Sequence, residues 1–325
     1  MNDYRLIIRA TGGPEVIERE SVGALTPGKG EAVVRHHAVG LNFIDTYQRS
    51  GLYPQPLPSG LGSEAAGVVE AVGEGVTLVA PGDRVAYARG RLGAYATVRT
   101  IGAEHLVKLP DAIRFEVAAG VMLKGLTADM LVGEIGEAKA GQHVLVHAAA
   151  GGMGSILVQW LKALGCIVIA HAGSAEKAAK AKALGADHAF ACPLDQLAEK
   201  VRSLTDGRGV DLVLDGVGKE SWAASLASTA KRGLIASYGN ASGPVPPIAP
   251  LELSRAGSLF LTRPTLFDYV DTRERLEAAA ARLFARIIDG SVTVEIGQTF
   301  PLADAAEAHR ALEGRRTNGS TVLVP

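Results

Sequence analysis

Two rhythms of apolar and polar residues divide the chain. Up to about residue 110 apolar residues come in short runs at Tyr4 to Arg9, Glu31 to Val39, Ala65 to Val72, Asp83 to Ala88 and Ala94 to Val98, separated by turn formers such as Gly12-Gly13-Pro14. Such runs between turn residues predict a compact β domain. From about residue 142 strand-like and helix-like segments alternate. The strands are read at His143 to Ala148, Ile167 to His171, His188 to Ala191, Val210 to Asp215, Leu234 to Ser237 and Ser258 to Thr262. Between the first four lie helical patterns at Ser155 to Leu164, Ala175 to Leu184 and Asp195 to Leu204, the first two stopped by Gly165 and Gly185. Six strands in β-α-β order predict an α/β protein with a doubly wound parallel sheet. After Pro264 a helix over Arg273 to Ile288, a second over Ala303 to Leu312 and a strand over Thr321 to Val324 return the chain to the β-rich part. The expected division is residues 1–124 with 266–325 for the β-rich domain, and 125–265 for the doubly wound one.

The first strand of the second region runs into Ala149-Ala150-Gly151-Gly152-Met153-Gly154 and then a helix. This is a G-x-G-x-x-G turn with alanine in the first glycine slot. Small residues there let the chain turn tightly and bring backbone N–H groups and a helix N-terminus up to a pyrophosphate, while the last glycine lets helix and strand pack closely. Placed between strand and helix, with five further strands, the turn predicts dinucleotide binding. The second strand indicates which dinucleotide. An NAD site places Asp or Glu at its tip for the ribose hydroxyls, whereas here the segment reads His171-Ala172-Gly173-Ser174-Ala175-Glu176-Lys177. With no carboxylate at the tip, the Ser174 hydroxyl and the Lys177 cation suit a 2′-phosphate, and NADPH is the expected cofactor. The plainer reading makes Ser174 a helix cap and Lys177 a solvated lysine.

Composition narrows the rest. The chain has 325 residues, with 33 Lys+Arg against 34 Asp+Glu, and this balance argues against nucleic acid as a partner. The two cysteines, Cys166 and Cys192, match no disulfide framework or zinc spacing, which suits a reducing cytoplasm. The apolar run Leu6 to Ile8 is too short for a signal peptide, and the stretch Val144 to Ala170 is broken by glycines, Gln159 and Lys162, so neither export nor membrane insertion is expected. Neighbouring His36 and His37 would face opposite sides of a strand, which excludes a metal site from that pair.

The strings Asn42-Phe43-Ile44-Asp45-Thr46-Tyr47 and Leu123-Lys124-Gly125-Leu126-Thr127 resemble those of the bacterial NADPH:quinone oxidoreductases, relatives of zeta-crystallin in the medium-chain dehydrogenase/reductase superfamily. The likeness continues through Gly82-Asp83-Arg84-Val85, His147 to Gly154, Gly239-Asn240-Ala241-Ser242-Gly243 and Thr262-Arg263-Pro264, over nearly the whole chain. It implies a GroES-like β-rich catalytic domain joined to a Rossmann domain. It further implies nucleotide contacts from Asn42, Tyr47, Thr127, Gly173, Cys192, Gly218, Tyr238, Gly239, Asn240, Thr262, Arg263 and Pro264, beside those of the glycine turn. Asn42, Asp45, Tyr47, Tyr53, Lys124 and Thr127 would line the nicotinamide and acceptor pocket. Zinc members of the superfamily carry Cys where this chain has Asn42, and Gly-His-Glu where it has Gly62-Ser63-Glu64, so a zinc-independent enzyme is expected. Relatives often carry Tyr or His where Cys192 stands, so the NADPH preference leans on Lys177 and on Arg315 or Arg316.

A quinone needs little activation, so holding reduced nicotinamide and acceptor face to face supplies most of the rate. Asn42 or a tyrosine hydroxyl would polarise the acceptor oxygen, and Gly51 and Pro54 bracket Tyr53 in a turn able to bring it back toward Tyr47. Two other functions fit the same residues: an enal or enone reductase, and an NADPH-binding or RNA-associated crystallin-like protein without turnover. His147 is expected to be structural and Cys166 inert. The apolar edge strand Ser258 to Thr262 is expected to pair in a homodimer.

Overall fold

The computed structural model describes residues 3–325, which form two compact units. The first runs to Leu126 and resumes over Asp271–Ile288 and Val294–Pro325; the second comprises Thr127–Val270 and Asp289–Thr293.

The first unit opens with β1 (Tyr4–Ile8), β2 (Ile17–Ser21) and β3 (Glu31–Leu41), then helix α1 (Phe43–Ser50), then β4 (Ser59–Gly60), β5 (Ala65–Val72), β6 (Arg84–Tyr87), β7 (Val98–Gly102) and β8 (Val107–Lys108). Helix α2 (Phe115–Asp129) leads into the second unit. There β9 (His143–Val146), α3 (Gly152–Ala163), β10 (Ile167–His171), α4 (Ala175–Ala183), β11 (His188–Phe190), α5 (Leu194–Ser203) and β12 (Val210–Asp215) alternate. They are followed by α6 (Trp222–Ser228), β13 (Thr229–Ser237), α7 (Pro250–Arg255), β14 (Phe260–Thr262) and α8 (Leu266–Tyr269). The chain then adds α9 (Arg273–Ile288), β15 (Ile296–Pro301), α10 (Ala305–Glu313) and β16 (Ser320–Val324) to the first unit.

In the first unit the main sheet has the order β15-β16-β3-β5-β6-β8 with β7 beside β3, and a small sheet has the order β2-β1-β4. Leu6, Ile8, Val34, Leu41, Leu61, Tyr87, Tyr95, Leu106 and Leu323 belong to its buried core. In the second unit every pairing is parallel, in the order β11-β10-β9-β12-β13-β14. This is the strand order of a dinucleotide-binding sheet, whose ligands gather at the carboxyl ends of the strands.

Several elements differ from their sequence reading. Ala94 to Val98 is not a strand: Ala96 makes an isolated bridge to Arg5, and the strand proper starts at Val98, after Gly90 and Gly93 have turned the chain with positive φ. Helix α3 starts at Gly152, inside the glycine turn. Strand β13 starts at Thr229, ahead of a register shift opposite Val210 to Leu212. Strands β2, β4, β8 and β15 and helices α1, α2, α6, α7 and α8 have no counterpart in the sequence reading. In α2 the sequence is apolar almost throughout, and a helix buried on several sides shows no amphipathic period.

Candidate active site

The glycine turn follows from backbone geometry. After β9, Ala148 takes φ 49°, Gly151 N–H closes on Ala148 O at 2.9 Å, and Ala149 N–H bonds His171 O at 3.0 Å. Helix α3 starts with Gly151 as its N-cap, without a side-chain cap and without an acidic residue in its first turn. Its first amides therefore have no partner within the helix, and no negative side chain competes for them, which makes the turn ready for an anion. A Cβ on Gly154 would collide with Ala148 O and lie 2.7 Å from Ala149 Cα, so only glycine keeps the helix this close to the turn.

The other nucleotide candidates of this unit follow the carboxyl ends of the neighbouring strands: Gly173 after β10, Cys192 after β11, Gly218 after β12, Tyr238 to Asn240 after β13, and Arg263 and Pro264 after Thr262, which ends β14. Gly218, at φ 93°, packs so closely under Gly243 and Asn240 that a side chain would not fit. Asp215 builds this corner. Fully buried, it accepts from Val217 N–H at 2.8 Å, Gly218 N–H at 3.2 Å, Ser221 Oγ and Ser225 Oγ. Because the Ser225 hydroxyl donates to that carboxylate, His147 Nε2, 3.0 Å away, must donate to Ser225 Oγ. Burial lowers His147 to about 4, so the ring is neutral, and its buried Nδ1 makes no hydrogen bond. Asp215 escaped the sequence reading, since nothing in an apolar strand ending in Asp signals four donors converging on it.

At the tip of β10 both readings of Ser174 bear on the structure. Its Oγ accepts Lys177 N–H at 3.2 Å and caps α4, while its own O–H remains available to donate. No carboxylate stands between His171 and Ala175, and the first is Glu176 within the helix. His171 donates from Nε2 to Cys192 O at 2.9 Å, which fixes the main chain at Cys192. Arg315 and Arg316 lie in the first unit, exposed after α10, and Arg316 is 3.5 Å from Glu307.

The first unit organises its candidates around Glu64. Its carboxylate is fully buried and accepts Asn42 Nδ2 at 2.7 Å, Leu123 N–H at 2.6 Å and Lys124 Nζ at 3.4 Å. Lys124 also donates to Gly120 O at 3.2 Å. A Cβ on Gly40 would run into the Glu64 side chain, so β3 must carry glycine there. Glu64 entered the sequence reading only as the remnant of an absent zinc site; here it orients Asn42 and Lys124. Among the described residues no group of three or more His, Cys, Asp or Glu could hold a metal ion.

Asn42 is the N-cap of α1, and Asp45 at the third helical position reaches back to its N–H at 2.9 Å. Asp45, expected to line the pocket, is thus engaged in the cap of α1. Asp45 is fully buried, and its Oδ2 also accepts from Tyr95 Oη at 3.0 Å, so the carboxylate faces inward. Gly51, at φ 86°, ends the helix, and the following turn returns Tyr53 N–H to Tyr47 O at 3.0 Å and sets the two rings edge to face, 5.3 Å apart. Asn42, Tyr47, Tyr53 and Lys124 thus belong to one unit, whereas Thr127, one helical turn beyond Lys124 along α2, is counted with the second.

Residues 28–111 match the alcohol dehydrogenase GroES-like domain family, and residues 152–285 the zinc-binding dehydrogenase family. The chain is 52% identical over 322 residues to a quinone oxidoreductase of Pseudomonas aeruginosa, covering 99% of each chain. A 2-haloacrylate reductase of Burkholderia is 42% identical, over 98% of both chains. The structure of the Escherichia coli quinone oxidoreductase complexed with NADPH superposes with a TM-score of 0.96 at 45% identity, covering 99% of this chain and 100% of that one. Among the described residues no helix is long and apolar enough to cross a membrane.

Proposed function

The chain belongs to the quinone oxidoreductases of the medium-chain dehydrogenase/reductase superfamily, and from that premise we propose that it reduces quinones with NADPH, without a metal. The observation that carries this reading is the Ala148 to Gly154 turn, closed by a glycine that tolerates no side chain, in a chain that matches quinone oxidoreductases from end to end. Bound NADPH would supply the hydride. The chain's own part is to seat the pyrophosphate on the first amides of α3, to hold the 2′-phosphate with Ser174 and Lys177, and to line the acceptor with Asn42, Tyr47, Tyr53 and Lys124. One Asn42 amide hydrogen is engaged by Glu64, and the second is left to polarise an acceptor oxygen. Cofactor contacts from Gly173, Cys192, Gly218, Tyr238 to Asn240, Thr262 to Pro264, Thr127, Arg315 and Arg316 are part of the same proposal. So are a cytoplasmic setting and a homodimer through the edge strand β14, where Phe260 is 60% exposed.

The likeness to a 2-haloacrylate reductase favours a second reading, hydride delivery to a carbon-carbon double bond conjugated to a carbonyl. NADPH oxidation with 1,4-benzoquinone, 9,10-phenanthrenequinone, short enals and 2-chloroacrylate separates the two. Quinones should be reduced with the highest kcat/KM, and a chelator should leave the rate unchanged. Higher efficiency with the enals or the haloacrylate would replace the first reading by the second, and loss of activity to chelator with recovery on zinc would overturn the metal-free mechanism. NADPH should be preferred over NADH by more than about tenfold, because a charge-assisted phosphate contact contributes roughly 1.5 to 3 kcal/mol. Lys177→Ala should remove most of that preference, and equal efficiency with both cofactors in the unaltered enzyme would refute it.

A further inference from the structure

The first unit buries a chain of polar side chains reaching from α10 to the cap of α1. Arg49, on α1, donates to His309 Nδ1 at 2.9 Å, to both oxygens of Glu313 at 2.7 and 3.1 Å, and to Gly12 O at 3.0 Å. A guanidinium only donates, so His309 Nδ1 accepts and the imidazole proton sits on Nε2. That nitrogen lies 3.0 Å from Tyr95 Oη. Tyr95 accepts it and passes its own hydrogen to Asp45 Oδ2 at 3.0 Å, the same oxygen that receives Asn42 N–H at 2.9 Å. The chain can run in one direction only, from Arg49 through His309 and Tyr95 to Asp45.

His309, Tyr95 and Asp45 are fully buried. Burial lowers His309 to about 3 and raises the Tyr95 phenol well above its ordinary value, so neither changes protonation near neutrality. Asp45 does. Burial raises it to about 7; the Asn42 N–H, Tyr95 and the Lys124 charge pull the other way, while Glu64 adds to the rise. Its Oδ1 is buried and makes no hydrogen bond. A proton taken there would leave both bonds to Oδ2 in place while removing the charge that strengthens them. The titratable and charged side chains acting on this carboxyl are Tyr95, Glu64 on its own segment and Lys124 on α2, with Arg49 of α1 and His309 of α10 behind Tyr95.

We propose that the buried Arg49–His309–Tyr95–Asp45 chain positions Asn42 for the acceptor, and that protonation of Asp45 loosens this positioning, so that acceptor binding weakens as the pH falls. The proposal rests on the reading that Asn42 belongs to the acceptor wall. None of the four need touch acceptor or cofactor; they act through the backbone of Asn42 and the start of α1.

The test is steady-state kinetics of NADPH with 1,4-benzoquinone between pH 5.5 and 8.0, on the unaltered enzyme and on Asp45→Asn, Tyr95→Phe and Asn42→Ala, with a thermal melt of each. Asp45→Asn keeps an oxygen for both hydrogen bonds and cannot ionise. The unaltered enzyme should show a quinone KM about threefold to tenfold higher at the acid end, with kcat changing less. Asp45→Asn should flatten that profile. Tyr95→Phe should raise KM throughout and move the midpoint to higher pH, because Asp45 loses a donor that favours its charged form. A pH-independent KM in the unaltered enzyme, or the unaltered profile retained in Asp45→Asn, would overturn the proposal, and the Asp45→Asn comparison decides even if Tyr95→Phe fails to fold. Asn42→Ala separates the two levels. If it leaves quinone KM and kcat unaltered, the acceptor-wall reading fails and the positioning role with it. If it changes them while Asp45→Asn keeps the unaltered profile, the wall reading stands and the positioning role falls.

Discussion

The turn after β9 and the buried cluster around Glu64 both gather polar groups, but they are made of different material. The turn is main chain: Gly151 N–H on Ala148 O, Ala149 N–H on His171 O, and a row of amides at the start of α3. Its side chains matter where they are missing, as at Gly154. The Glu64 cluster is built on side chains, with the Leu123 N–H as its main-chain donor, drawn from segments far apart in sequence. Asn42 lies 22 residues from Glu64, Leu123 lies 59, and the Tyr95 to His309 contact behind Asp45 spans 214. A site of backbone amides keeps its partial charges through almost any substitution that leaves the fold intact. A site of buried ions depends on each member, because removing one leaves the others desolvated and unmatched.

That contrast makes Glu64→Ala the most damaging single change. It leaves the Lys124 ammonium with Gly120 O and without its counter-ion, and takes the acceptor from one Asn42 amide hydrogen, and breaking a buried ion pair on one side costs about 3 to 5 kcal/mol. Urea unfolding should show the loss, and Glu64→Gln should recover part of it by keeping an acceptor. A loss below about 1 kcal/mol for Glu64→Ala, the size of an ordinary exposed pair, would mean that the cluster is not held by this carboxylate.

Gly154→Ala tests the other side. The added methyl has backbone on two sides, Ala148 O and Ala149 Cα, and backbone cannot swing away as a flexible side chain can. Either α3 withdraws from the turn or the turn opens, and in both cases the pyrophosphate loses amides. NADPH affinity measured by fluorescence titration should fall about a hundredfold, or about 2.7 kcal/mol, while quinone KM at saturating NADPH changes little. Unaltered affinity would show that the turn has slack.

The same division explains what the sequence disclosed. The parallel sheet and its glycine turn are local patterns, a strand, small residues at fixed spacing and a helix, and they can be read along the chain without knowing what lies across the fold. Ser174 as a cap and the missing carboxylate after β10 are equally local. The resemblance offers Asp45 as a pocket residue but does not show its part in the helix cap, which follows from the third helical position pointing back at Asn42. Tyr95 and His309 gave no signal at all. A tyrosine between two alanines and a histidine on an amphipathic helix are ordinary core residues until the fold sets them 3.0 Å apart, with Arg49 behind and Asp45 ahead. Glu64 stood in a string read for the zinc ligand it lacks, although Gly40 had to be glycine to make room for it.

The smallest expected effect belongs to the tyrosines, where the comparison can be sharpened. Tyr53 is half-buried, with its ring against Tyr47 and its N–H on Tyr47 O, two contacts of this pair that do not use the hydroxyl. Tyr53→Phe keeps both and tests what the phenol does to an acceptor. Quinone carbonyls already draw electrons and gain aromaticity on reduction, so a hydrogen bond to the forming hydroxyl adds little to the rate, and the ring contributes mainly shape. Turnover in Tyr53→Phe should stay within about tenfold of the unaltered enzyme, or about 1.4 kcal/mol, with the larger change in quinone KM and in the ranking of acceptors. A fall in kcat of more than about a hundredfold, or about 2.7 kcal/mol of transition-state stabilisation, with NADPH affinity intact, would make Tyr53 an acid or strong donor in the reaction. The first unit would then contribute chemistry through an individual side chain as well as position through a buried network, and the division between a backbone-built cofactor seat and a side-chain-built acceptor wall would have to include catalysis proper.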